Sequence, residues 1–368
     1  MKIQLSGIFS QFVKDKVITS VGVIGSGHIN DTYLIKTDDV FHPGYIIQRI
    51  NSYIFKNVEN LMKNIRIVTE HIASVYKSSA EQDAHKKVLS FYPVENGKYY
   101  YLDSEGNYWR CCDYISDTVS YNIVTDPSVA YKGGELFGKF QKQLSTLNPM
   151  LLADTIPKFH DMEWRWANFQ DAVERDPVNR LVYVKKEIEF AYKRYTELVV
   201  LTKDVRSGKL PMRITHNDTK FNNILFSANG EALCVIDLDT VMPGTVLHDF
   251  GDAIRSACNT ASEDEADISK IGFNMQIFEA YTRGYLSEAS YFLTKYEIDN
   301  LVLSCRFMTF IMGLRFLTDY LDGDIYYKIH HPQHNVRRCR AQFRLIECME
   351  DVNAYMERIV AESYKLLK

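Results

Sequence analysis

The sequence predicts an α+β fold with two lobes, a small β-rich amino-terminal lobe and a larger, mainly helical carboxy-terminal lobe. Three observations lead to this prediction. The first third of the chain alternates like strands and hairpins, the remainder has helical spacing, and one short hairpin near residue 230 interrupts the helical part. We place the lobe boundary next to Ser116, so that the predicted lobes are 1–116 and 117–368.

The amino-terminal lobe is predicted to contain five strands and one helix. Strands are expected at 17–23 and 29–36 around a glycine-bearing turn, at 45–50, and in a hairpin formed by 98–102 and 108–115. Between them, 57–76 carries apolar residues at helical spacing. This order predicts an antiparallel sheet with one helix inserted after its third strand.

The carboxy-terminal lobe is predicted to be helical, with one exception. Pro127 suits the first turn of a helix that extends to about residue 147. A second long helix is predicted over 179–203, and helices resume from about Leu247. Between these helices, short strands at 223–227 and 233–236 flank the turn at Asn229 and Gly230, which predicts a hairpin inside the helical lobe.

Composition excludes several classes of function. The chain has 368 residues, of which 46% are hydrophobic and 24% charged, and its net charge of -4 disfavours a nucleic-acid surface. Seven cysteines without a CxxC pair predict neither a disulfide framework nor a zinc site, and therefore favour a reducing compartment. No secretory signal or membrane span is expected, so the predicted location is cytoplasmic. No feature of the sequence indicates an oligomeric state.

The segment His216-x-Asp218-x4-Asn223, followed by Val235-Ile236-Asp237, carries the strongest chemical signal. Phosphoryl transfer needs a carboxylate that orients and deprotonates the acceptor hydroxyl, together with oxygen ligands that hold magnesium against the phosphates. Asp218 suits the first task. Asn223 and Asp237 suit the second, because Mg²⁺ prefers carboxylate and amide oxygens. The turn at Gly230 would return the chain so that Asp237 faces Asn223.

Two alternatives apply to these residues. Asn and Asp are common in turns, where their side chains bond to the backbone, and this explains Asn229. It explains poorly an Asp that ends an apolar run, as Asp237 does. For His216, bracing the loop by hydrogen bonds is favoured over a catalytic role.

Several motifs resemble the aminoglycoside phosphotransferase and choline kinase superfamily, a branch of the protein-kinase-like fold. They are His-Asn-Asp-Thr-Lys-x-Asn-Asn at 216–223, Val-Ile-Asp-Leu-Asp-Thr-Val-Met-Pro-Gly at 235–244, Asp-Phe-Gly-Asp-Ala-Ile-Arg at 249–255 and Gly-Leu-Arg-Phe-Leu-Thr-Asp-Tyr-Leu at 313–321. Within the superfamily the chain is most similar to the N-acetylhexosamine 1-kinases. The resemblance implies a two-lobe protein-kinase-like fold, ATP as co-substrate, and Mg²⁺ on Asn223 and Asp237.

The same resemblance implies a sugar acceptor. Asp239, Arg315 and Tyr326 would contribute to the sugar side of the site, and the product would be the 1-phosphate of an N-acetylhexosamine. Other small hydroxylated acceptors, such as amino alcohols or aminoglycosides, stay open, as does a nucleotide-binding pseudokinase without turnover.

The residues on the nucleotide side are less sharply indicated. Gly25 and Gly27 would let the backbone approach phosphates, although a glycine turn is also a common hairpin device. Where a protein kinase has its third-strand lysine, this chain reads Ile47-Gln48-Arg49. Either Gln48 or Arg49 could take that place, and Arg49 is favoured because it neutralises charge. Either Glu59 or Glu70 would brace it. Residues 112–115, with Asp113 and Ile115, are the expected adenine-contacting hinge.

Overall fold

The structure is a computed structural model, which describes residues 2–24, 29–81 and 83–367, with side chains from Leu5 onward. Within these ranges the chain forms two compact units. Unit 1 comprises 1–120, 146–157 and 223–243, and unit 2 comprises 121–145, 158–222 and 244–368. The predicted lobe boundary at residue 116 lies close to the end of the first stretch of unit 1, and the hairpin segment 223–243 clusters with that unit.

Unit 1 is built on a five-stranded antiparallel sheet in the order β1-β2-β3-β5-β4. Its strands are β1 (Ile18–Val23), β2 (Asp31–Thr37), β3 (Tyr45–Ile50), β4 (Tyr101–Leu102) and β5 (Tyr108–Asp113). In the register between β3 and β5, Gln48 lies opposite Arg110, so the two side chains share one face of the sheet. The five strands predicted from the sequence are therefore confirmed.

A helix that the sequence analysis did not predict, α1 (Lys2–Phe9), covers one face of this sheet. Leu5, Ile8 and Phe9 are buried in one cluster with Ile47 and Cys111. Its periodicity was not recognised because the helix has only eight residues. These apolar side chains are buried on one face of the sheet, and Gln48 and Arg110 lie on the opposite face.

The predicted helix of unit 1 is confirmed as α2 (Val58–Ser78). It begins at Asn57, whose side chain accepts the amide of Asn60 at 2.9 Å, which satisfies one of the free donors of the first turn. Its buried Asn64 donates to the carbonyls of Ala153 and Val241 at 2.7 and 2.9 Å. This side chain therefore ties α2 to both later segments of unit 1.

The hairpin near residue 230 forms a second sheet of unit 1, in the order β6-β8-β9. Its strands are β6 (Thr118–Val119), β8 (Ile224–Ser227) and β9 (Ala232–Val235). Gly230 has φ of +82°, a conformation that few residues other than glycine adopt in a tight turn. The predicted hairpin is confirmed, and it sets Asn223 and Asp237 at the same end of the β8–β9 pair.

Unit 2 is helical in the described residues, apart from short strands. Its strand β7 is Arg213–Thr215. The short strand β10 (Met242–Gly244) spans the point in the sequence where unit 1 ends and unit 2 resumes. The helices of unit 2 are α3 (Pro127–Leu144), α4 (Met162–Arg175), α5 (Lys185–Leu198), α6 (Val200–Arg206), α7 (Val246–Ala257), α8 (Met275–Ala289), α9 (Lys295–Asp299), α10 (Leu301–Leu321), α11 (His334–Asp351) and α12 (Asn353–Lys365).

Helices α3 and α8 pack closely because glycines lie at their contact. A Cβ atom on Gly134 would come within 2.3 Å of the Tyr281 carbonyl oxygen, and one on Gly284 within 2.0 Å of the Tyr131 carbonyl oxygen. Such distances leave no room for any side chain. The close approach holds α3, with its buried Gln141, near the loop that follows β7.

The predicted long helix over 179–203 is confirmed in part, because most of this range is helical but the helix begins later and is divided in two. Asn179 has φ of +56°, which no helix interior allows, a 3₁₀ turn covers Leu181–Tyr183, and the first α-helix begins at Lys185. Two helices, α5 and α6, follow and meet at Val199. Helix α4 was not predicted; its moderate apolar content, with Arg, Glu and Asp between the aromatic residues, concealed its period.

One described helix, α10, is long and apolar enough to pass a length-and-hydropathy test for a membrane span, contrary to the expectation from the sequence. Of its most apolar window, 78% is buried within the structure. Such burial is typical of a core helix. It results from the packing of α10 against α7 and α11.

Candidate active site

The loop 216–222 follows β7 in unit 2, and its backbone is tightly specified. Asn217 has φ of +64°, a left-handed conformation that asparagine tolerates better than most residues. His216 is fully buried, with its ring 5.9 Å from that of Phe137, and its Nδ1 accepts the amide of Asp218 at 3.3 Å. This position is that of a bracing histidine.

Two carboxylates of α7 hold this loop. The amides of His216 and Asn217 donate to Asp249 at 2.9 and 2.7 Å. The amide of Thr219 donates to Asp252 at 3.1 Å. Because these amides converge on buried carboxylates of one helix, the backbone on both sides of Asp218 is fixed before any substrate binds.

Asp218 itself keeps 27% of its side-chain surface exposed. Burial acts to raise its pKa, but Lys220, whose Nζ lies 3.0 Å from Oδ1, together with His216 and Arg255, outweighs this effect and lowers the pKa below its ordinary value. The carboxylate is therefore ionised at neutral pH. An ionised, partly exposed and firmly positioned carboxylate can orient a hydroxyl group and accept its proton.

Asn223 and Asp237 lie in unit 1, at the end of the β8–β9 hairpin. The amide of Ile236 donates to the carbonyl of Asn223 at 2.9 Å, which sets Asp237 one residue beyond this pair. Asp237 is exposed and has φ of +59°, and Asn223 is buried. A carboxylate and an amide oxygen at one hairpin end are the hard donors that Mg²⁺ accepts while keeping several waters, so these residues fit that ion.

Asp239, predicted on the sugar side, is buried in unit 1 and already has two partners. It forms a salt bridge with the buried Arg110 of β5, and Asn30 donates to its Oδ2 at 2.6 Å. Asn30 in turn accepts the amide of Asn51 at 2.9 Å. Asp239 thus links the segment after β9 to the residues that flank β2 and β3.

The two candidates on β3 lie on opposite faces of the sheet. Gln48 accepts from Nε of Arg110 at 2.9 Å, on the face that reaches Asp239. Arg49 pairs instead with Asp31 across β2 and β3, and both side chains are about half exposed. Of the two alternatives, Gln48 therefore shares a face with the Asp239 network. The assignment of Arg49 to phosphate binding stays a prediction.

Among the described residues, neither Glu59 nor Glu70, the two proposed bracing acids, forms a hydrogen bond with Gln48 or Arg49. Glu70 pairs with Arg66 at 3.8 Å on the surface of α2, and Glu59 is exposed in its first turn. The polar residues that α2 buries are Asn64 and Thr69, and neither is an acid. The acid that binds the buried cation of this sheet is Asp239, from outside the helix.

The remaining nucleotide-side predictions stay untested. The amide of Asp113 donates to the carbonyl of Ser90 at 3.0 Å, and its carboxylate accepts from Tyr92 and His42. Ile115 is buried, and its carbonyl accepts the hydroxyl of Thr118 at 3.0 Å. Gly25 and Gly27 fall outside the described residues.

Arg315 and Tyr326 lie together in unit 2. The Arg315 guanidinium is 5.9 Å from the ring of Tyr326, which is 53% exposed, and 5.1 Å from the ring of Phe159. Asp319 accepts the amides of Tyr326 and Tyr327 at 2.8 and 3.0 Å and so shapes their turn. Next to Phe159, His160 bonds to the carbonyl of Asn217 at 3.2 Å, which connects this cluster to the Asp218 loop.

Sequence reasoning missed Arg110 and did not assign roles to Asp249 and Asp252. The two aspartates lie in the motif at 249–255, so a signal for them was present. Arg110 had none, because one arginine in a strand next to two cysteines reads as an ordinary sheet residue. Its partner Asp239 is 129 residues away in the chain.

Known proteins are similar to this chain both in sequence family and in fold. The sequence model of the phosphotransferase enzyme family matches residues 20–292, which include β2, the Asp218 loop, the hairpin and α7. That range covers most of the chain.

Solved structures of similar fold include an aminoglycoside phosphotransferase from Alicyclobacillus acidocaldarius, with a TM-score of 0.62 and 11% identity over 97% of this chain and 96% of that one. A microcompartment-associated aminopropanol kinase gives 0.58 and 12% over 97% and 99%. The GDP complex of wild-type aminoglycoside 2'-phosphotransferase-IIIa gives 0.62 and 12% over 93% and 98%. At these identities the likeness shows the fold, which confirms the predicted two-lobe, protein-kinase-like architecture.

Proposed function

Because this chain belongs to the phosphotransferase enzyme family, we propose that it is an ATP- and magnesium-dependent kinase that phosphorylates the anomeric hydroxyl of an N-acetylhexosamine. The observation that carries the proposal is Asp218. Its carboxylate is ionised, partly exposed, and held by a loop whose amides bond to two buried aspartates. A protein that only bound nucleotide would not need such a group.

In the proposed reaction, Asp218 orients the acceptor hydroxyl and accepts its proton. A bond forms between the acceptor oxygen and the γ-phosphorus of ATP, and the bond from that phosphorus to the β–γ bridging oxygen breaks, which leaves ADP. Asn223 and Asp237 would hold Mg²⁺, which when bound neutralises charge on the phosphates. Arg49, Asp113 and Ile115 remain candidates for nucleotide contacts, as do Gly25 and Gly27, which lie outside the described residues.

The sugar acceptor is supported by the cluster of Arg315 and Tyr326, which His160 connects to the Asp218 loop. A guanidinium donates to sugar and amide oxygens, and an exposed tyrosine ring offers an apolar face to a sugar ring. Asp239 stays a candidate for a sugar hydroxyl through the part of its carboxylate that Arg110 and Asn30 leave available.

A second candidate is a kinase of an amino alcohol or aminoglycoside. It is favoured by the fold shared with an aminopropanol kinase and an aminoglycoside phosphotransferase. A cationic acceptor requires carboxylates or aromatic faces without competing cations. Arg165 and Arg315, whose positive charges both act on His160, argue against it. A pseudokinase without turnover is the third candidate, and a β3 strand that reads Ile47-Gln48-Arg49, without the lysine of protein kinases, is the feature that favours it.

Release of ADP from MgATP decides among these candidates. The acceptors are N-acetylglucosamine, N-acetylgalactosamine, glucose, choline, aminopropanol and kanamycin, with phosphorus NMR of the product. An acid-labile 1-phosphate from an N-acetylhexosamine supports the proposal. Turnover with only an amine-bearing acceptor replaces the sugar assignment. Tight MgATP binding without turnover on any acceptor supports the pseudokinase.

A further inference from the structure

Two arginines of unit 2, Arg165 on α4 and Arg315 on α10, converge on one residue. Arg165 donates from Nε and Nη2 to the carbonyl of Phe159 at 3.3 and 3.0 Å. Arg315 lies over the ring of the same Phe159, 5.1 Å from its centroid. Both guanidinium groups therefore lie against Phe159, one at its carbonyl and one at its ring, and the charge of Arg315 acts on Arg165.

Neither arginine forms a salt bridge with any carboxylate in residues 2–24, 29–81 and 83–367. Arg315 is only 8% exposed, its Nε has no hydrogen-bond partner, and its Nη1 reaches the thioether sulfur of Met312 at 3.3 Å, a weak acceptor. Other buried arginines are paired: Arg110 with Asp239, and Arg255 with Asp252. The Arg165–Arg315 pair departs from that pattern.

Further polar atoms around the pair also lack partners within the described chain. The hydroxyl of Tyr327, whose ring is 5.6 Å from the Arg315 guanidinium, is buried without a hydrogen bond. So is Nδ1 of His160. Burial, together with His248, Arg315 and Arg165, keeps the pKa of His160 well below its ordinary value, so the ring is neutral. It adds no charge, but it offers one more hydrogen-bonding atom.

The electrostatics of the pair are unfavourable as they stand. Burial and the neighbouring Arg315 lower the pKa of Arg165 to about 9. Two like charges withdrawn from water without a counterion cost free energy, and a bound anion removes that cost. Arginine forks match carboxylate and phosphate oxygens in geometry.

We propose that Arg165 and Arg315 bind an oxyanion, either a carboxylate or a phosphate, that the acceptor substrate carries in addition to its reacting hydroxyl. This inference rests on the proposed kinase function and narrows its acceptor class. His160 bonds to the carbonyl of Asn217, the residue before Asp218, so an anion on this cluster would hold the acceptor next to the base. The preferred N-acetylhexosamine is then one that bears a carboxylate or a phosphate, a hexuronic acid should serve as a probe of the site, and amine-bearing acceptors are disfavoured.

The test compares three acceptors that share a hexose ring and an anomeric hydroxyl. These are glucuronic acid, which is anionic, N-acetylglucosamine, which is neutral, and glucosamine, which is cationic. The variants are Arg165→Gln and Arg315→Gln. Arg175→Gln is the matched control, because it removes the same charge from α4 at a half-exposed residue whose partners are Asp171 and Asp322.

Arg165→Gln is expected to raise KM for glucuronic acid about tenfold or more, and to change KM for N-acetylglucosamine by less than about threefold. KM for MgATP should be unchanged, and Arg175→Gln should behave like the wild type. Equal losses for the anionic and neutral acceptors would overturn the proposal. So would a rise in KM for MgATP with acceptor KM unchanged, because the pair would then serve the nucleotide.

A binding measurement without nucleotide separates this proposal from the proposed function. Glucuronate and inorganic phosphate are each titrated into the wild type and into both variants by calorimetry. If either anion binds the wild type, and Arg165→Gln and Arg315→Gln each weaken that binding about tenfold, the oxyanion site is supported and its preferred group is identified. Equal affinity in wild type and variants overturns the site even if the protein is an active kinase. Anion binding without ADP release from any acceptor would instead count against the kinase function.

Discussion

Asn217 donates its main-chain amide to the carboxylate of Asp249 at 2.7 Å, and the neighbouring amide of His216 bonds to the other oxygen at 2.9 Å. Gln141 of α3 donates to the same carboxylate at 2.8 Å, and Tyr285 of α8 donates to Gln141 at 2.5 Å. The loop that carries Asp218 is therefore attached to three helices of unit 2 through one buried acid.

The first prediction concerns this acid. Asp249→Asn replaces one acceptor oxygen with an amide donor, which must then face a backbone amide or the amide of Gln141. Leaving a buried donor unsatisfied costs about 1–3 kcal/mol. We expect urea unfolding to show a loss of stability of that order and kcat to fall, because the backbone beside Asp218 loses its anchor.

The control for this variant is Asp267→Asn. Asp267 caps a short 3₁₀ turn on the surface by accepting the amide of Ser269 at 3.1 Å, and asparagine caps equally well. Its stability and kcat should match the wild type. An Asp249→Asn protein with wild-type stability and kcat would show that the anchor is dispensable.

The second prediction concerns pH. Lys220 opposes the effect of burial on Asp218 and keeps its pKa below the ordinary value, so the wild-type rate should be independent of pH through the weakly acidic range. In Lys220→Met the pKa of Asp218 rises, because burial acts against less positive charge. The acid limb of the kcat/KM profile should therefore move to higher pH.

Lys270→Met, which alters an exposed lysine 4.0 Å from Glu265, is the matched control and should leave the profile in place. If Lys220→Met lowers the rate equally at every pH, Asp218 is not the group that the acid limb reports. Lys220 would then act on substrate binding.

The third prediction compares two arginines of the unit 1 sheet. Arg110→Met strands the buried carboxylate of Asp239, and breaking a buried pair in this way costs about 3–5 kcal/mol. Arg49→Met breaks a half-exposed pair that is worth about 0–1 kcal/mol. Urea unfolding should separate the two variants clearly.

The same two variants decide the nucleotide assignment. A raised KM for MgATP in Arg49→Met, at unchanged stability, would support phosphate binding by Arg49. An unchanged KM for MgATP would exclude Arg49 from phosphate binding and leave Gln48, on the other face of the sheet, as the remaining candidate on β3. Equal stability of Arg110→Met and wild type would contradict the structural role given to the Arg110–Asp239 pair.

The sequence predicted the parts of the fold that local patterns determine. The strand 45–50 and the hairpin at Gly230 were recognised because alternation and turn residues act over a few positions. Helix α1 was too short for its period to be seen, and the helix predicted from residue 179 was started too early because no periodicity encodes the left-handed backbone of Asn179. The family resemblance identified the fold class correctly.

The candidate site likewise has residues that the sequence predicts and contacts that it does not. Asp218, Asn223 and Asp237 could be chosen from spacing, because they fall within 20 residues of one another in the chain. The ionic and polar contacts elsewhere in the two units could not. Arg110 meets Asp239, and Arg165 meets Arg315 at Phe159, only through tertiary packing of distant segments.

The most direct test of the account is the turnover of Asp218→Asn on the best acceptor, measured with the dissociation constant for MgATP in the same protein. A carboxamide keeps the shape of the side chain but accepts no proton. We predict that kcat falls about 10²–10⁴-fold while the dissociation constant stays within about threefold of the wild type. A kcat near the wild-type value would contradict the role of Asp218 as the base.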